Sequence, residues 1–335
     1  MARLSILQAG PNTALQDLGR EGFLKYGLSR GGAMDRLAIL EAAALLGGGL
    51  GIAALETPTG LRASVDAGQR VALTGAPMRA DIDGRAIGWN ATHLLMPGEV
   101  LTVRPTGQGV YGYVAFGGGF DEPLRMGSVA THFGARLGRA LEAGDGLELG
   151  DDGNLAAPPL VLSPDNRFAG GAVRMVTGPQ TEHYSPETLT RFTQTRFSKS
   201  GQANRQAALL EHDGRSFDAQ NALGVVSDVI VPGDIQMSGA GEPFVLMAEC
   251  QTIGGYPRIG AILPQDLPIV AQASQGSELW FELISLDEAD AVYMSDKAIF
   301  RRIRDRSKPM ARSPHDIANL LSYQLISGAI AGDEE

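Results

Sequence analysis

The sequence predicts a mainly β protein with a few helices, and three observations carry that expectation. Glycine supplies 44 of 335 residues, spread without a repeat; dispersed glycine marks many tight turns and hence many short elements. From Leu61 to about Gly119 apolar and polar residues alternate, as in Leu61-Arg62-Ala63-Ser64-Val65-Asp66 and Val100-Leu101-Thr102-Val103-Arg104, the period of a half-buried strand. Turn signals separate these runs, with Asp83-Gly84 and Thr106-Gly107-Gln108-Gly109 reading as hairpins.

In chain order, residues 1–30 read as polar and turn-rich. Asp35 is placed to cap the apolar helix that follows, and Gly47-Gly48-Gly49 stops it. Val71–Leu73 and Tyr111–Phe116 lack alternation and read as strands buried on both faces. Residues 151–170, with Asp151-Asp152-Gly153-Asn154 and Pro158-Pro159, mark a boundary. The expected division is 1–160, 161–290 and a helical tail, 291–335. The second block opens near Val173–Val176. Ser185 caps a helix with Pro186 in its first turn, and strands are expected at 229–237, 243–248, 259–263 and 278–283. Residues 287–304 read as one helix. A basic linker with Arg306, Lys308 and Arg312 leads to a short amphipathic helix at 316–324, carrying Ile317, Leu320 and Leu321.

Composition narrows the function. The net charge is −10 and the isoelectric point about 5.1. That balance argues against nucleic-acid phosphates and anionic membranes as partners. The single cysteine, Cys250, builds no internal disulfide. The run from Leu37 to Leu55 is interrupted by Glu41 and by the glycines at 47, 48, 49 and 51, which is too broken for a membrane span. With no apolar run behind Met1, a cytoplasmic location is expected.

Several chemical devices are missing: no phosphate-binding loop, no G-x-S-x-G elbow, no H-E-x-x-H. The histidines at 93, 132, 183, 212 and 315 are scattered, so no metal site is expected. Four segments offer chemistry instead. Gln16–Gly22 with Gly31–Asp35 sets Gly31 and Gly32 before a helix start, where backbone N–H groups receive a carboxylate; Arg20 adds a bidentate clamp. Tyr113–Phe120 runs into a glycine loop followed by Ser128 and Thr131. Asn204-Arg205 lies in a polar loop. Gln251-Thr252-Ile253-Gly254-Gly255-Tyr256-Pro257 follows an apolar strand as a rigid loop able to approach a ligand.

Taken in order, Gln16–Gly22, Gly31–Asp35, Ala54–Gly60, Ala72–Ala76, Gly117–Ser128 and Gln251–Pro257, with Ile235-Gln236, resemble the family of 5-oxoprolinase C subunits. The same family is labelled allophanate hydrolase subunit 2 or biotin-dependent carboxyltransferase. It includes part of urea amidolyase and the antagonist of a sporulation-kinase inhibitor. The resemblance covers roughly residues 3–290. It implies cyclophilin-like β-barrel domains and a hetero-oligomer with a B-type partner, beside an A-type lactam-utilisation protein. It implies ATP-dependent opening of 5-oxo-L-proline to glutamate. The alternatives it implies are carboxyl transfer from carboxybiotin to urea or a related amide, and non-catalytic binding of the antagonist type. With no A-M-K-M acceptor and no ATP loop, no cofactor is assigned to this chain; ATP or carboxybiotin enters through partner subunits.

The family's S-x-S-T reads Ser128-Val129-Ala130-Thr131 here. Its S-D-R-M-G-x-R-L segment becomes Ala203–Leu210, keeping Arg205 but placing Ala207 and Leu209 where a glycine and a second arginine are expected. Before Gln251-Thr252 stand Glu249 and Cys250, in place of an aspartate and a polar or basic residue. The expected site lies between the domains or at the partner interface. Gly31, Gly32, Gly254 and Gly255 offer N–H groups to an oxyanion or carboxylate. Arg20 and Arg205 hold an anionic substrate, with Ser128, Thr131, Asn204, Gln236 and Thr252 lining it. Gln251 and Tyr256 orient the amide. Asp17 and Asp35 are candidate proton acceptors, Asp35 doubling as helix cap. No nucleophile is assigned.

Overall fold

The first strand, Ala2–Ala9, buries Ala2, Leu4 and Ile6 and exposes Arg3. The opening read as polar and turn-rich is therefore an alternating strand, and its pattern is short because the pairing register shifts between Ile6 and Gln8. The computed structural model describes residues 2–163, 166–219 and 226–310. Ala2–Ala9 belongs to a six-stranded sheet, ordered Gly146–Leu149, Ala2–Ala9, Leu61–Val65, Val100–Pro105, Met78–Ile82 and Arg85–Ile87. Asp83-Gly84 is the expected hairpin: both residues have positive φ, 49° and 80°, and Ile82 faces Arg85 across it.

A seven-stranded sheet packs over the first, ordered Ala14–Gln16, Ala54–Thr57, Gly112–Phe116, Gln69–Gly75, Ala91–Leu95, Leu160–Val161 and Lys308–Pro309. Its central strands are covered on both sides. Val71, Leu73, Val114 and Phe116 face the core between the sheets. Ala72, Tyr113 and Ala115 face the helix Arg36–Leu46. Two apolar faces leave no alternation to read, which is why these strands appear as continuous apolar runs. Thr106–Gly109 is not a hairpin: Val100–Pro105 and Gly112–Phe116 lie in different sheets, so the turn is a crossover. Local turn chemistry signals a reversal but does not choose the strand's partner.

The second unit is a closed seven-stranded barrel, Gly171–Val176, Arg258–Ile262, Asp234–Met237, Pro243–Leu246, Ala207–Glu211, Phe197–Ala203 and Glu278–Leu283, closed by parallel pairing of the first with the last. The helix Pro186–Gln194 lies on the barrel with one buried residue, Phe192, which enters the core against Phe197 and Phe281 with ring centroids 5.0 Å apart in each case. Ser185 caps that helix. The strand expected over 229–237 is broken at Pro232-Gly233. Asp228–Val229 leaves the barrel to pair with Ile253–Gly254 as a separate ribbon. Proline supplies no ladder donor there, and Gly233 turns with φ 97°.

The single helix expected over 287–304 is two. Leu286–Val292 begins at a Ser285 capping box with Glu288, and Asp296–Arg306 begins at a Ser295 cap. A second capping serine lets the chain restart. The second helix lies on Arg36–Leu46, joined to it by the Arg36–Asp296 ion pair. Lys308–Pro309 then extends the seven-stranded sheet. The helix expected at 316–324, with Arg312 and His315, lies outside the described residues. Among the described residues no helix is long and apolar enough to cross a membrane.

Candidate functional site

Three loops of the first unit meet two of the barrel at one buried junction. Gly31 N–H donates to the Ala248 carbonyl at 3.0 Å, tying the units together. Gly32, with φ 81°, lies so close to the 17–19 turn that a Cβ there would sit 2.6 Å from Gly19 N and 2.8 Å from Asp17 O. Only glycine tolerates that backbone and that approach.

Arg205 sits at the centre. Its guanidinium donates to Glu56, to Glu249 through Nε at 2.5 Å, and to the Gly32 carbonyl. The other Glu56 oxygen accepts from Tyr113 Oη at 2.6 Å and Met34 N at 2.8 Å. The other Glu249 oxygen accepts from Gly134 N at 3.1 Å. Burial works against charge on Arg205, but the two carboxylates outweigh it and hold the guanidinium protonated more firmly than usual. Burial pushes the Glu56 carboxyl up, with Arg205, Tyr113 and Met34 pulling against it.

Asp17 and Arg20 form the adjoining half of the junction. Asp17 accepts from Gly19 N at 2.7 Å, Ser128 Oγ at 2.7 Å and Val129 N at 3.0 Å. Arg20 is 2% exposed. Its Nε donates to Arg125 O at 3.0 Å and its Nη2 to Ala130 O at 2.5 Å, while Nη1 is buried with no partner among the described residues. Burial lowers its pKa, with Asp17 opposing. The Thr131 hydroxyl donates to Arg139 O at 3.4 Å. Asp35 caps the helix through Leu37 N and Ala38 N, and its second oxygen accepts from Arg167 and Gln272, each at 2.8 Å. The carboxylates of Asp17 and Asp35 and the guanidinium of Arg205 are thus engaged inside the protein, so in this conformation they brace loops.

His132 was not singled out from sequence, yet it lies at this junction. Its Nδ1 accepts from Ala135 N at 3.1 Å and stands 3.5 Å from Glu249; its Nε2 is 3.0 Å from Ser29 Oγ. Accepting at Nδ1 places the proton on Nε2, donated toward Ser29. That is the opposite tautomer from the one a Ser-His-acid nucleophilic triad uses. Burial lowers the His132 pKa, with Glu249 opposing, then Arg20 and Arg205 reinforcing. Glu56, Arg167 and Gln272 were also missed, and Tyr113 stood out only as the start of its segment. A readable signal existed for one: Glu56 is the charged member of Ala54–Thr57, a strand buried at every position.

The remaining candidates form a second, outward-facing group. Gln251 and Gly255 are exposed, Thr252 and Gly254 half-buried, and Tyr256 is 56% exposed. Gln236 lies beneath: its Nε2 would be 2.7 Å from a Cβ on Gly254 and has no partner among the described residues. Arg258 holds the ribbon through Val229 O at 2.8 Å, Asp228, and Asp234 at 3.1 Å. Asn204 is exposed, and its Oδ1 accepts from Gln206 N at 2.7 Å and Ala207 N at 3.1 Å. The fold therefore gathers Asp17, Arg20, Gly31, Gly32, Ser128, Thr131 and Arg205 into the buried junction, with Asp35 behind it. It sets Gln236, Gln251, Thr252, Gly254, Gly255 and Tyr256 on or under the ribbon loop. Glu249 belongs to the junction and Gln251, two residues on, to the surface, so one short segment joins the groups. Among the described residues no three His, Cys, Asp or Glu side chains are arranged to hold a metal ion.

Known proteins share this architecture. A family model for the carboxyltransferase domain, subdomain A and B, matches residues 26–283. The chain is 32% identical over 306 residues to the C subunit of 5-oxoprolinase from Escherichia coli, covering 90% of this chain and 97% of that protein. The crystal structure of TTHA0988 superposes with a TM-score of 0.73 at 26% identity; the match covers 84% of this chain but only 56% of that one. The K. lactis urea amidolyase structure gives a TM-score of 0.80 at 21% identity over 93% of this chain and 21% of that one, a likeness of fold.

Proposed function

Because the chain belongs to the carboxyltransferase-domain family, subdomain A and B, we propose that it is the C-type component of a 5-oxoprolinase-type complex. In that complex ATP-dependent hydrolysis opens the lactam amide of 5-oxo-L-proline: water supplies the new carboxylate oxygen and the ring nitrogen leaves as the amine of glutamate. The observation that carries this reading is the 32% identity to a 5-oxoprolinase C subunit, extending over 97% of that protein. The site geometry is consistent with a shared task. The carboxylates of the junction are occupied by internal donors, and His132, between Ser29 and Glu249, holds the tautomer that cannot take a proton from serine. In this proposal the chain contributes shape and hydrogen bonds, while partners of the A and B types bring ATP and complete the chemistry.

Within that reading Gln251 and Tyr256 orient the amide, and the Gly255 N–H faces its carbonyl oxygen as charge develops, the Gly254 N–H being taken up by the ribbon pairing with Asp228. Arg205 and Arg20 act through the loops they brace and are positioning residues. The test is co-expression with the A- and B-type neighbours and an assay of ATP-dependent glutamate release from 5-oxoproline. An assembled complex without turnover sinks the proposal. The carboxyltransferase family match and the urea amidolyase fold favour a second reading, carboxyl transfer to urea or a related amide. Carboxylation of urea by the chain assembled with a carboxybiotin-bearing partner, with no glutamate release, selects it.

A further inference from the structure

A cleft of about 600 Å³ lies where the helices Arg36–Leu46, Leu286–Val292 and Asp296–Arg306 meet the barrel. Its volume falls within the roughly 300–1,000 Å³ typical of small-molecule sites. The apolar wall is made by Leu37, Leu162, Val292, Ile299 and Ile303. The carboxylates that border it are already matched. Asp266 is held by Arg174 through two hydrogen bonds of 2.6 and 2.7 Å, and Glu41 by Arg167 through two of 2.8 and 2.9 Å.

Two further cations line the cleft without a carboxylate among the described residues: Arg302 and Arg306. They stand four residues apart on Asp296–Arg306, hence one turn apart on the same face. Arg302 reaches only the Met294 sulfur, at 3.8 Å. Arg306 lies in the last turn, where a cation favours the helix dipole, but that role does not require a second arginine a turn earlier on the same cleft. The walls are fixed in advance: Asp296 pairs with Arg36, Ile303 packs on the Arg36–Leu46 core, and Met310 N donates to Pro159 O at 2.8 Å. The wall is preorganised, with an apolar strip of Leu37, Leu162, Val292, Ile299 and Ile303 beside the two matched ion pairs and a positive rim at Arg302 and Arg306. This helix also lies outside the matched carboxyltransferase residues, 26–283.

We propose that this cleft binds a small organic anion with an apolar body. The carboxylate or phosphate head is held by Arg302 and Arg306, and the hydrocarbon lies on Leu37, Val292 and Ile303. The inference does not rest on the catalytic reading above. The test is calorimetric titration of the full chain with octanoate and octyl phosphate, against octanol and inorganic phosphate as controls. One or both amphiphilic anions bind saturably and more tightly than either control, and their order identifies the head group. Arg302→Gln/Arg306→Gln weakens that binding by about tenfold or more, since two charge-assisted bonds are lost. Ala291→Trp, which fills the cleft from its exposed side, abolishes binding with the melting temperature unchanged. Octanol binding as tightly as octanoate, inorganic phosphate binding as tightly as octyl phosphate, no saturable binding of either anion, or a double variant that binds normally each overturns the proposal.

Discussion

Arg205 and Glu56, 149 residues apart in sequence, form an ion pair in which both side chains are buried, 9% and 2% exposed. One belongs to the barrel and the other to the seven-stranded sheet, so this contact, with Glu249, joins the two units. A buried pair of this kind contributes little against a well-packed apolar alternative, but removing one partner strands the other's charge.

Arg205→Leu is therefore expected to lower stability by about 3–5 kcal/mol, the usual cost of uncovering a buried charge. Chemical denaturation measures it. Adding Glu56→Gln to the variant recovers part of the loss, because one stranded carboxylate is neutralised; a purely additive double variant would show that the two residues do not interact.

The pH dependence of Arg205→Leu follows from the same contact. Burial already pushes the Glu56 carboxyl up, and Arg205 is its largest counterweight. Without Arg205 the folded state holds a proton that an unfolded glutamate, with pKa about 4.3, has released. The folded state then binds more protons than the unfolded one across that window, so stability falls as pH rises. The variant's melting temperature should climb from about pH 7 toward about pH 5, more steeply than the parent's. A parallel pair of profiles would count against this assignment.

Lys199 makes an independent pH prediction. Its ammonium is buried and donates to the carbonyls of Val270, Ala271 and Ala273 at 2.9, 2.8 and 2.7 Å, at the end of the helix Leu267–Gln272. Burial lowers its pKa to about 8. Above that value the unfolded chain, with lysine near 10.4, still holds the proton that the folded state has lost, so this group's contribution to stability rises with pH between about 8 and 10.4. Lys199→Met should remove that slope. It should also cost about 2 kcal/mol at neutral pH by leaving carbonyls without a donor, readable by urea denaturation across the range.

Gly22 and Gly32 share a backbone conformation, φ 84° and 81°, but not surroundings. A Cβ on Gly22 meets nothing within 4 Å, whereas on Gly32 it strikes the backbone of Asp17 and Gly19. Gly22→Ala should cost about 1 kcal/mol, the left-handed strain alone. Gly32→Ala should cost several times more and loosen the junction. Equal melting temperatures for the two variants would show that the close approach is unimportant.

Gln251 and Tyr256 are exposed, so Gln251→Ala and Tyr256→Ala should change stability by less than about 0.5 kcal/mol. If they orient the substrate amide, the assembled complex loses about tenfold or more in kcat/KM, the scale of one lost hydrogen bond to a reacting group. Full activity with either variant would remove that residue from the site.

Much of the architecture was legible because it is written in local physics. Asp35 before an apolar run and Gly47 after it delimit a helix whose cap and left-handed stop are both present. Asp83-Gly84 needs two positive φ angles and marks its hairpin without reference to anything distant. Thr106–Gly109 looked the same and became a crossover, since strand partners are chosen by which faces are buried. The 287–304 pattern was helical throughout, yet Ser295 restarts the chain as a second helix.

The sequence by itself determined that this is a glycine-punctuated, acidic, mainly β chain, and its ordered motifs pointed to the family. It also named Asp17, Arg20, Gly31, Gly32 and Arg205 as residues of interest. Only the tertiary structure decided what they do together. A charged residue in a string carries no record of its partners, and Glu56, Tyr113, His132 and Glu249 reach Arg205 or its carboxylates from strands and loops that only folding brings together. Burial in that shared junction, where an unpaired charge is costly, sets Arg205 and Arg20 against internal acceptors and leaves the Gln251–Tyr256 loop largely exposed.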